Sequence, residues 1–334
     1  VIILQEICEK SKMAVRVEKE LGEWFQAEVG TKQGDPLSPT LFITYLERVM
    51  DTMKELNTGV SIHGQTISNL KFADDVDLLD SCQENLQRKV TVVDQAGRET
   101  GLKMNISKTK TMVFGRKEID KDVEVRSVKI ENVEEFEYLG SLLTWDNDCS
   151  KDIRRRIAKA TGVSSGFGSI WKSKQISIKV KMSILRTCVF SVFMYACETW
   201  TLRKADRDRI LAFEMRCYRR MLGIKWQQKI TNVEIRKRLA VKKNLLQEVM
   251  GRKLTLFGHI CRMNDGRMVK DILFGMMDGK SRRGRPSREW FDDIRECCGL
   301  DAGVCCIKAR DKIGWKKIVQ ESALWSRCAR DSCE

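Results

Sequence analysis

Apolar residues recur along the first half of the chain at spacings of three and four, which predicts amphipathic helices. From Leu41 to Met53 such residues form a stripe on one face of about four helical turns. Ser38 and Pro39 precede this stripe and supply an N-cap and a first-turn proline. We therefore expect a helix to begin there and to pack its apolar face against a flat surface.

Two short apolar runs follow the first helix, and a pair of acids separates them. One run is Ile67–Phe72, the other is Val76–Leu78, and Asp74 and Asp75 lie between them. Strands of this length joined by a short turn form a β-hairpin. The pattern predicts a hairpin with two carboxylates at its tip.

A second helix and a closing strand are predicted after the hairpin. Ser81 and Glu84 form a capping-box pair, and Gly101 is placed to end the helix. The apolar stripe of this helix contains Leu86, Val90 and Val93. After the helix, a strand is expected over Thr111–Phe114.

The order helix, strand, strand, helix, strand is that of a β-α-β-β-α-β ferredoxin-like fold without its opening strand. This order predicts an α+β fold with an incomplete sheet. The chain also begins at Val1 rather than Met. Both observations lead us to expect truncation at the N-terminus.

The second half of the chain is predicted to be mainly helical. Its longest apolar run, Cys188–Cys197, is about half as long as a membrane span requires, so a buried core helix is expected and a membrane partner is not. Arg203–Arg220 has the pattern of an amphipathic helix, with Arg216 and Arg220 away from its apolar side.

The net charge of +15 conceals an uneven distribution. Residues 1–150 carry 19 Lys and Arg against 27 Asp and Glu, a net charge of −8, whereas residues 151–334 carry 42 against 19, a net charge of +23. A basic half attached to an acidic half favours nucleic acid as a partner, although a solvated basic surface would give the same count. The 13 cysteines are irregularly spaced and follow no signal peptide, so we expect reduced thiols and an intracellular location.

The adjacent acids Asp74 and Asp75 suggest a metal site. Two carboxylates on a tight turn repel each other unless a cation lies between them, and hard oxygen ligands suit Mg²⁺. Nucleotide transfer normally uses two such ions and a further acid from a neighbouring strand. An Asp-Asp pair is more often a solvated turn, so the surrounding motifs must decide.

Several motifs in this order resemble reverse transcriptases of non-LTR (LINE-type) retrotransposons. The hairpin sequence FADD at Phe72–Asp75, after QGDPLSP at Gln33–Pro39, is similar to motifs C and B of that family. GLKMNISKTK at Gly101–Lys110 resembles motif D, and EFEYLGSLL at Glu135–Leu143 resembles the primer grip. YACETWTL at Tyr195–Leu202, FGH at Phe257–His259 and RRGRP at Arg282–Pro286 resemble the thumb and C-terminal region.

The resemblance implies an incomplete right-hand polymerase palm over residues 1–145, a helical thumb over 146–250 and a basic region over 251–334. Asp74 would be a direct metal ligand and Asp75 its partner. Gln33, Gly34 and Phe72 would bind the nucleotide and template base, and Lys108 would act on the pyrophosphate or remain a surface lysine. The primer grip would comprise Phe136, Tyr138, Leu139 and Gly140, which would also suit a core strand.

The family's motif A aspartate would lie before Val1, so we expect this chain to be inactive alone. In the complete protein the resemblance implies an RNA-directed DNA polymerase that uses Mg²⁺, dNTP, an RNA template and a DNA primer or target. The alternative is a non-catalytic nucleic-acid-binding protein derived from a retrotransposon. The upstream genomic sequence would separate the two.

The basic half offers several candidate nucleic-acid contacts. These are Arg216 and Arg220, the run Lys151–Lys159, and Arg282, Arg283 and Arg285 in a loop that could equally be a nuclear targeting signal. Four tryptophans lie among basic residues and could stack on bases, though core packing is expected for most: Trp171, Trp226, Trp290 and Trp315. His259 and the nearby cysteines lack the compact spacing of a zinc site.

Overall fold

The computed structural model describes residues 5–6, 9–26, 30, 34–115, 122–275 and 288–320. These residues form both helices and strands, in agreement with the α+β class. They divide into two compact units, one within residues 1–61, 65–106 and 123–129, the other within 62–64, 107–122 and 130–334. No helix in the described ranges is both long and apolar enough to span a bilayer.

The first unit contains two long helices and short strands. The strands up to residue 78 are β1 (Lys12–Met13), β2 (Arg16–Val17), β3 (Glu20–Leu21), β4 (Phe25–Gln26), β5 (Val60–Ile62), β6 (Gln65–Ile67), β7 (Asn69–Phe72) and β8 (Asp75–Leu78). The helices are α1 (Ser38–Asp51), a 3₁₀ turn (Thr52–Leu56) and α2 (Gln83–Glu99). Val49, Met50, Met53 and Val90 form much of its buried core, so both predicted stripes are confirmed.

The side-chain caps predicted for the two helices are wrong, whereas the first-turn proline Pro39 and the stop signal at Gly101 are confirmed. The N-cap residues are Leu37 and Cys82 rather than Ser38 and Ser81, and neither makes a side-chain capping bond. Helix α1 instead follows a turn in which Asp35 Oδ1 accepts a hydrogen bond from Leu37 N at 2.9 Å. At the other end of α2, Gly101 has φ +81°, as a C-terminal glycine should.

The remaining short strands pair only in twos. They are β9 (Lys110–Thr111), β10 (Glu124–Val125), β11 (Val128–Lys129), β12 (Glu131–Asn132), β13 (Glu135–Tyr138) and β14 (Ser141–Thr144). Of the strand predicted over Thr111–Phe114, only Thr111 lies in a strand, β9, which pairs in parallel with β12. Across the described residues each strand has a single partner, so no wider palm sheet is present. A lone hairpin leaves backbone groups unpaired on both edges, which further strands would satisfy.

The second unit is mainly helical, as predicted. Its helices are α3 (Cys149–Gly166), α4 (Gly168–Lys172), α5 (Ile178–Ile184), α6 (Ser191–Phe193), α7 (Lys204–Leu222), α8 (Asn232–Arg238), α9 (Leu245–Cys261), α10 (Met268–Phe274), α11 (Trp290–Cys298), α12 (Ala302–Arg310) and α13 (Lys312–Gln320). A π-type segment (Leu185–Phe190) and 3₁₀ turns (Cys197–Thr199, Trp226–Gln228) join them. The predicted core segment Cys188–Cys197 supplies Val189, Phe190 and Phe193, all buried.

A buried ion cluster ties the C-terminal helices to the segment before α7. Lys253 and Asp293 are both fully buried, and their Nζ and Oδ2 atoms are 2.5 Å apart. Arg207 and Arg288 also bind Asp293, and Leu202 N donates to it at 3.0 Å. Burial lowers the pKa of Lys253 even though Asp293 opposes that shift. Such a cluster is retained only where every charge has a partner, so it fixes the geometry of this part of the fold.

Candidate active site

The acids Asp74 and Asp75 lie at the tip of a β-hairpin, as predicted. Phe72 pairs with Asp75 across β7 and β8, which leaves Ala73 and Asp74 as a two-residue turn. Ala73 has φ +53°, a conformation that costs a non-glycine residue about 1 kcal/mol or more and is common at functional sites. Phe72 is 60% exposed beside the carboxylates. The turn therefore presents two acids and an aromatic ring to solvent.

The two carboxylates can both face a ligand. Both residues are exposed, and within the described residues neither carboxylate has a hydrogen-bond or ion-pair partner. They supply only two of the oxygen ligands that a divalent ion needs. Over the described ranges, no three His, Cys, Asp or Glu side chains are grouped to hold a metal. The hairpin therefore fits a divalent cation as part of a larger ligand set.

A buried lysine that the sequence analysis missed anchors the exit of this hairpin. Lys89 of α2 is fully buried, and its Nζ lies 2.8 Å from Asp80 Oδ2. The same ammonium donates to the carbonyl oxygens of Thr58 and Leu79 at 2.8 and 2.7 Å. Burial opposes ionisation of Asp80, but Lys89 and the Cys82 amide outweigh it and hold the pKa of Asp80 below its ordinary value. The strand leaving the acidic tip is thereby fixed to the helix.

The hairpin also contacts helix α1 through an ion pair. Lys71, next to Phe72, forms an ion pair with Glu47 of α1. Gly34 lies in the turn before α1 with φ +89°, and a Cβ atom there would meet nothing within 4 Å. The presence of glycine at position 34 is therefore explained by its backbone conformation and not by a lack of space for a side chain. Gln33 lies outside the described residues, so its predicted place beside the acids stays a prediction.

Lys108 and the predicted primer grip belong to the second unit. Lys108 is exposed in a turn just before β9. Phe136 and Tyr138 lie in β13, and Leu139 and Gly140 form the two-residue turn to β14. Both turn residues have positive φ, +46° and +79°, as in a type I′ hairpin turn. A strand is thus found at Phe136 and Tyr138, which are partly buried, but not at Leu139 and Gly140, and the binding role of the four residues stays a prediction.

The turn of this second hairpin is held by side chains from α3 and from the YACETWTL segment. Tyr195 donates its hydroxyl to Leu139 O at 3.0 Å, and Arg155 and Arg156 both donate to Gly140 O. The Arg156 guanidinium also lies 4.5 Å from the centre of the Tyr195 ring. The sequence analysis placed Tyr195 in a motif and the two arginines in a basic run, but it did not predict that they meet at this turn, because only the tertiary structure joins them.

The basic run Lys151–Lys159 is used largely within the chain. Lys151 pairs with Glu135, and Arg155 and Lys159 both pair with Glu137. These basic residues are four positions apart, so they form one row on α3 facing β13. Burial favours the neutral form of Glu137, yet the two cations lower its pKa overall. These three residues are therefore ion-paired within the chain, and the contact of the run with nucleic acid stays a prediction.

Other predicted contacts are less constrained by the fold. Arg216 and Arg220 are exposed one turn apart on α7, and Arg220 donates to Ser165 Oγ at 2.9 Å. Arg282, Arg283 and Arg285 lie outside the described residues.

The described cysteines are free thiols, and His259 is exposed. Core packing is confirmed for Trp171 and Trp315, which are buried, and Trp290 is partly buried; Trp226 is exposed.

Comparison with known proteins places these sites in context. Residues 3–143 match the family model described as reverse transcriptase (RNA-dependent DNA polymerase). The chain is 26% identical over 277 residues to a transposon-derived protein of Caenorhabditis elegans, covering 78% of this chain and 98% of that protein. It is 34% identical over 137 residues to the Pol polyprotein from the type-1 retrotransposable element R2 of Nasonia vitripennis. That match covers 40% of this chain and only 13% of the polyprotein.

Proposed function

We propose that residues 3–143, which match the reverse transcriptase family model, belong to a polymerase of the non-LTR retrotransposon kind and that the Phe72–Asp75 hairpin is the metal-binding part of its site. The observation that carries this proposal is the pair of exposed carboxylates on a positive-φ turn. Reverse transcriptases generally use divalent metal ions. The family implies template and dNTP binding as well.

Each predicted residue has a role in this proposal. Asp74 is a direct ligand of Mg²⁺ and Asp75 is its acidic partner. When bound, the metal supplies the positive charge that nucleotide transfer requires at the phosphates. Gln33, Gly34 and Phe72 contact the nucleotide and template base. Lys108 neutralises or protonates the pyrophosphate.

The second hairpin is proposed to hold the DNA primer. Phe136, Tyr138, Leu139 and Gly140 form this grip, and Tyr195 with Arg156 positions its turn. Residues 1–145, 146–250 and 251–334 would serve as palm, thumb and basic C-terminal region, and further strands would complete a ferredoxin-like palm sheet. We place this protein inside the cell, in the nucleus or cytoplasm, where it would bind template RNA and target DNA.

We further propose that the chain alone does not polymerise, because two acids from one hairpin do not complete a two-metal site. Preorganised charge is usually the largest contribution to catalysis, and two acids supply less of it than three. A segment carrying a further carboxylate would have to complete the site. On this proposal the chain binds metal through the hairpin but does not synthesise DNA by itself.

The experiment measures both properties on the same chain. Binding of Mn²⁺, a spectroscopic substitute for Mg²⁺, is measured by electron paramagnetic resonance for the parent, Asp74→Asn and, as a control, Asp51→Asn. Weak binding lost only in Asp74→Asn supports the metal role, whereas equal binding in all three contradicts it. Primer extension on an RNA template tests inactivity: robust synthesis that Asp74→Asn abolishes would overturn that part.

A second candidate is a non-catalytic nucleic-acid-binding protein. The observation that favours it is the match to the Caenorhabditis elegans protein. The aligned residues cover 98% of that protein, so its length is close to that of the matched part of this chain. This candidate keeps the binding surfaces and needs no metal. Unchanged affinity for a primer–template duplex in Asp74→Asn, without metal binding by the parent, would favour it.

A further inference from the structure

Trp226 is the most exposed tryptophan among the described residues, with 82% of its surface accessible to solvent. Trp200 and Trp315, in the same unit, are each 2% exposed. Leaving a large aromatic ring in water forgoes the favourable burial that the other tryptophans obtain. An isolated exposed apolar residue needs no explanation by itself, so the surroundings of Trp226 must carry the argument.

The chain around Trp226 is strongly and uniformly basic. Residues 216–229 contain five Lys or Arg residues and no Asp or Glu. Four of these, Arg216, Arg220, Lys225 and Lys229, are exposed. Lys225 directly precedes the tryptophan, and Lys229 follows three positions later. Such a segment favours a polyanion over an apolar or basic protein surface.

The turn that carries Trp226 is fixed at both ends. Gly223 ends α7 with φ +67°, and Ile224 N donates back to Arg219 O at 2.9 Å. Within the turn, Lys225 N donates to Gln228 Oε1 at 2.9 Å.

Arg219 completes this arrangement by bridging the two sides of the segment. Its guanidinium donates to Ile230 O at 3.2 Å and to Asn232 Oδ1 at 2.7 Å. One of the five basic residues thus holds the turn in place, and the other four are exposed, although Arg220 also donates to Ser165 Oγ. A ring presented on a fixed turn loses little conformational freedom when it binds.

We propose that Trp226 stacks on an unpaired base of single-stranded nucleic acid, whose phosphates lie along Lys225, Lys229 and Arg220. An exposed indole stacks on the face of any base, and basic residues beside it follow the backbone. A duplex hides the faces of its internal bases, so the site selects unpaired strands. This inference rests on the proposed function only in taking nucleic acid as a partner of the chain.

The test uses the full chain with a labelled single strand of about twelve thymidines, within the range of common site sizes. Fluorescence anisotropy gives the affinity, and quenching of tryptophan emission reports stacking. Trp226→Ala is expected to bind about fivefold more weakly or worse, which corresponds to one lost stacked base. Trp226→Phe should retain most of the affinity, and binding of a duplex of equal length should hardly change.

Trp24→Ala is the matched control. Trp24 is 63% exposed but follows Glu23 in the acidic half of the chain, so its loss should leave both affinity and quenching unchanged. Intact folding of each variant is checked by its urea midpoint.

The outcomes separate this inference from the proposed function. If the parent binds with a clear salt dependence and Trp226→Ala binds the single strand equally well, stacking is disproved and nucleic-acid binding stands. If the parent binds no nucleic acid, the partner itself is wrong. A Trp226→Ala variant that only loses self-association would assign the ring to a second copy of the chain and overturn the stacking proposal.

Discussion

At the scale of single residues, Gly258 in the FGH motif is required by packing. A Cβ atom at this position would overlap the indole ring of Trp315, whose Nε1 donates to Leu254 O at 2.8 Å. The ring lies against Phe257, with centroids 5.4 Å apart. The motif residue is therefore explained by close approach of an aromatic ring to helix α9.

We predict that Gly258→Ala destabilises the chain by about 1–3 kcal/mol, because the ring or the helix must shift. Gly251→Ala is the control, since Gly251 lies in the same helix and a Cβ there meets nothing within 4 Å. That control should be neutral or stabilising by up to about 1 kcal/mol. Urea unfolding of both variants measures the difference, and equal costs would refute the packing explanation.

At the scale of elements, the attachment of the acidic hairpin to α2 depends on one buried ion pair. Lys89→Met leaves the Asp80 carboxylate buried without its cation, so we expect a loss of about 3–5 kcal/mol. Lys89→Met combined with Asp80→Asn removes both charges and should recover part of that loss. Urea unfolding of the single and double variants gives the coupling. No recovery in the double variant would show that the pair is not the cause.

The same ion pair predicts a pH dependence. The folded-state pKa of Asp80 is lowered, so its contribution is complete above the unfolded value of about 3.9 and is lost as the pH falls through the folded pKa. The free energy of unfolding should therefore fall below about pH 5 by more in the parent than in the double variant. Unfolding curves between pH 7 and pH 3 provide the measurement. Parallel losses in both proteins would argue against Asp80.

A substitution in the turn of the second hairpin, between β13 and β14, should also reduce stability. Gly140→Ala imposes a side chain at φ +79° and brings Cβ to 3.1 Å from the Tyr195 ring. We expect a cost of about 1–3 kcal/mol, and a smaller cost in a Tyr195→Ala background where the ring is absent. The control Gly64→Ala has a similar φ of +75° but no neighbour within 4 Å. An identical cost in both backgrounds would rule out the contact.

At the scale of the whole molecule, the division of charge predicts how nucleic-acid binding responds to salt. Arg216→Gln with Arg220→Gln removes two exposed cations from α7 and should reduce the slope of log affinity against log salt by about one to two. Lys12→Gln with Lys103→Gln removes equal charge from the acidic half and should change it little. Anisotropy titrations on a duplex at several salt concentrations compare them; equal reductions would place the contacts elsewhere.

Predictions from local pattern were reliable where neighbouring residues decide the outcome. The helices around Leu41–Met53 and Arg203–Arg220 and the hairpin at Asp74 were all found from spacing alone. The caps at Ser38 and Ser81 were wrong, because a preceding Asp side chain can organise a helix start equally well. The order of elements predicted a wider palm sheet, whereas the described strands pair only in twos. The order of elements along the chain does not specify which strands pair with each other.

The sequence by itself determined the types of element, the acidic turn and the motifs that resemble those of reverse transcriptases, because each depends on residues a few positions apart. Only the tertiary structure decided that the basic row of α3 faces β13, that Lys89 is buried on Asp80, and that Trp315 is core while Trp226 is exposed. The physical reason is that burial and ion pairing join residues that are distant in the sequence, such as Trp315 and Leu254, 61 positions apart, and local spacing does not specify such partners.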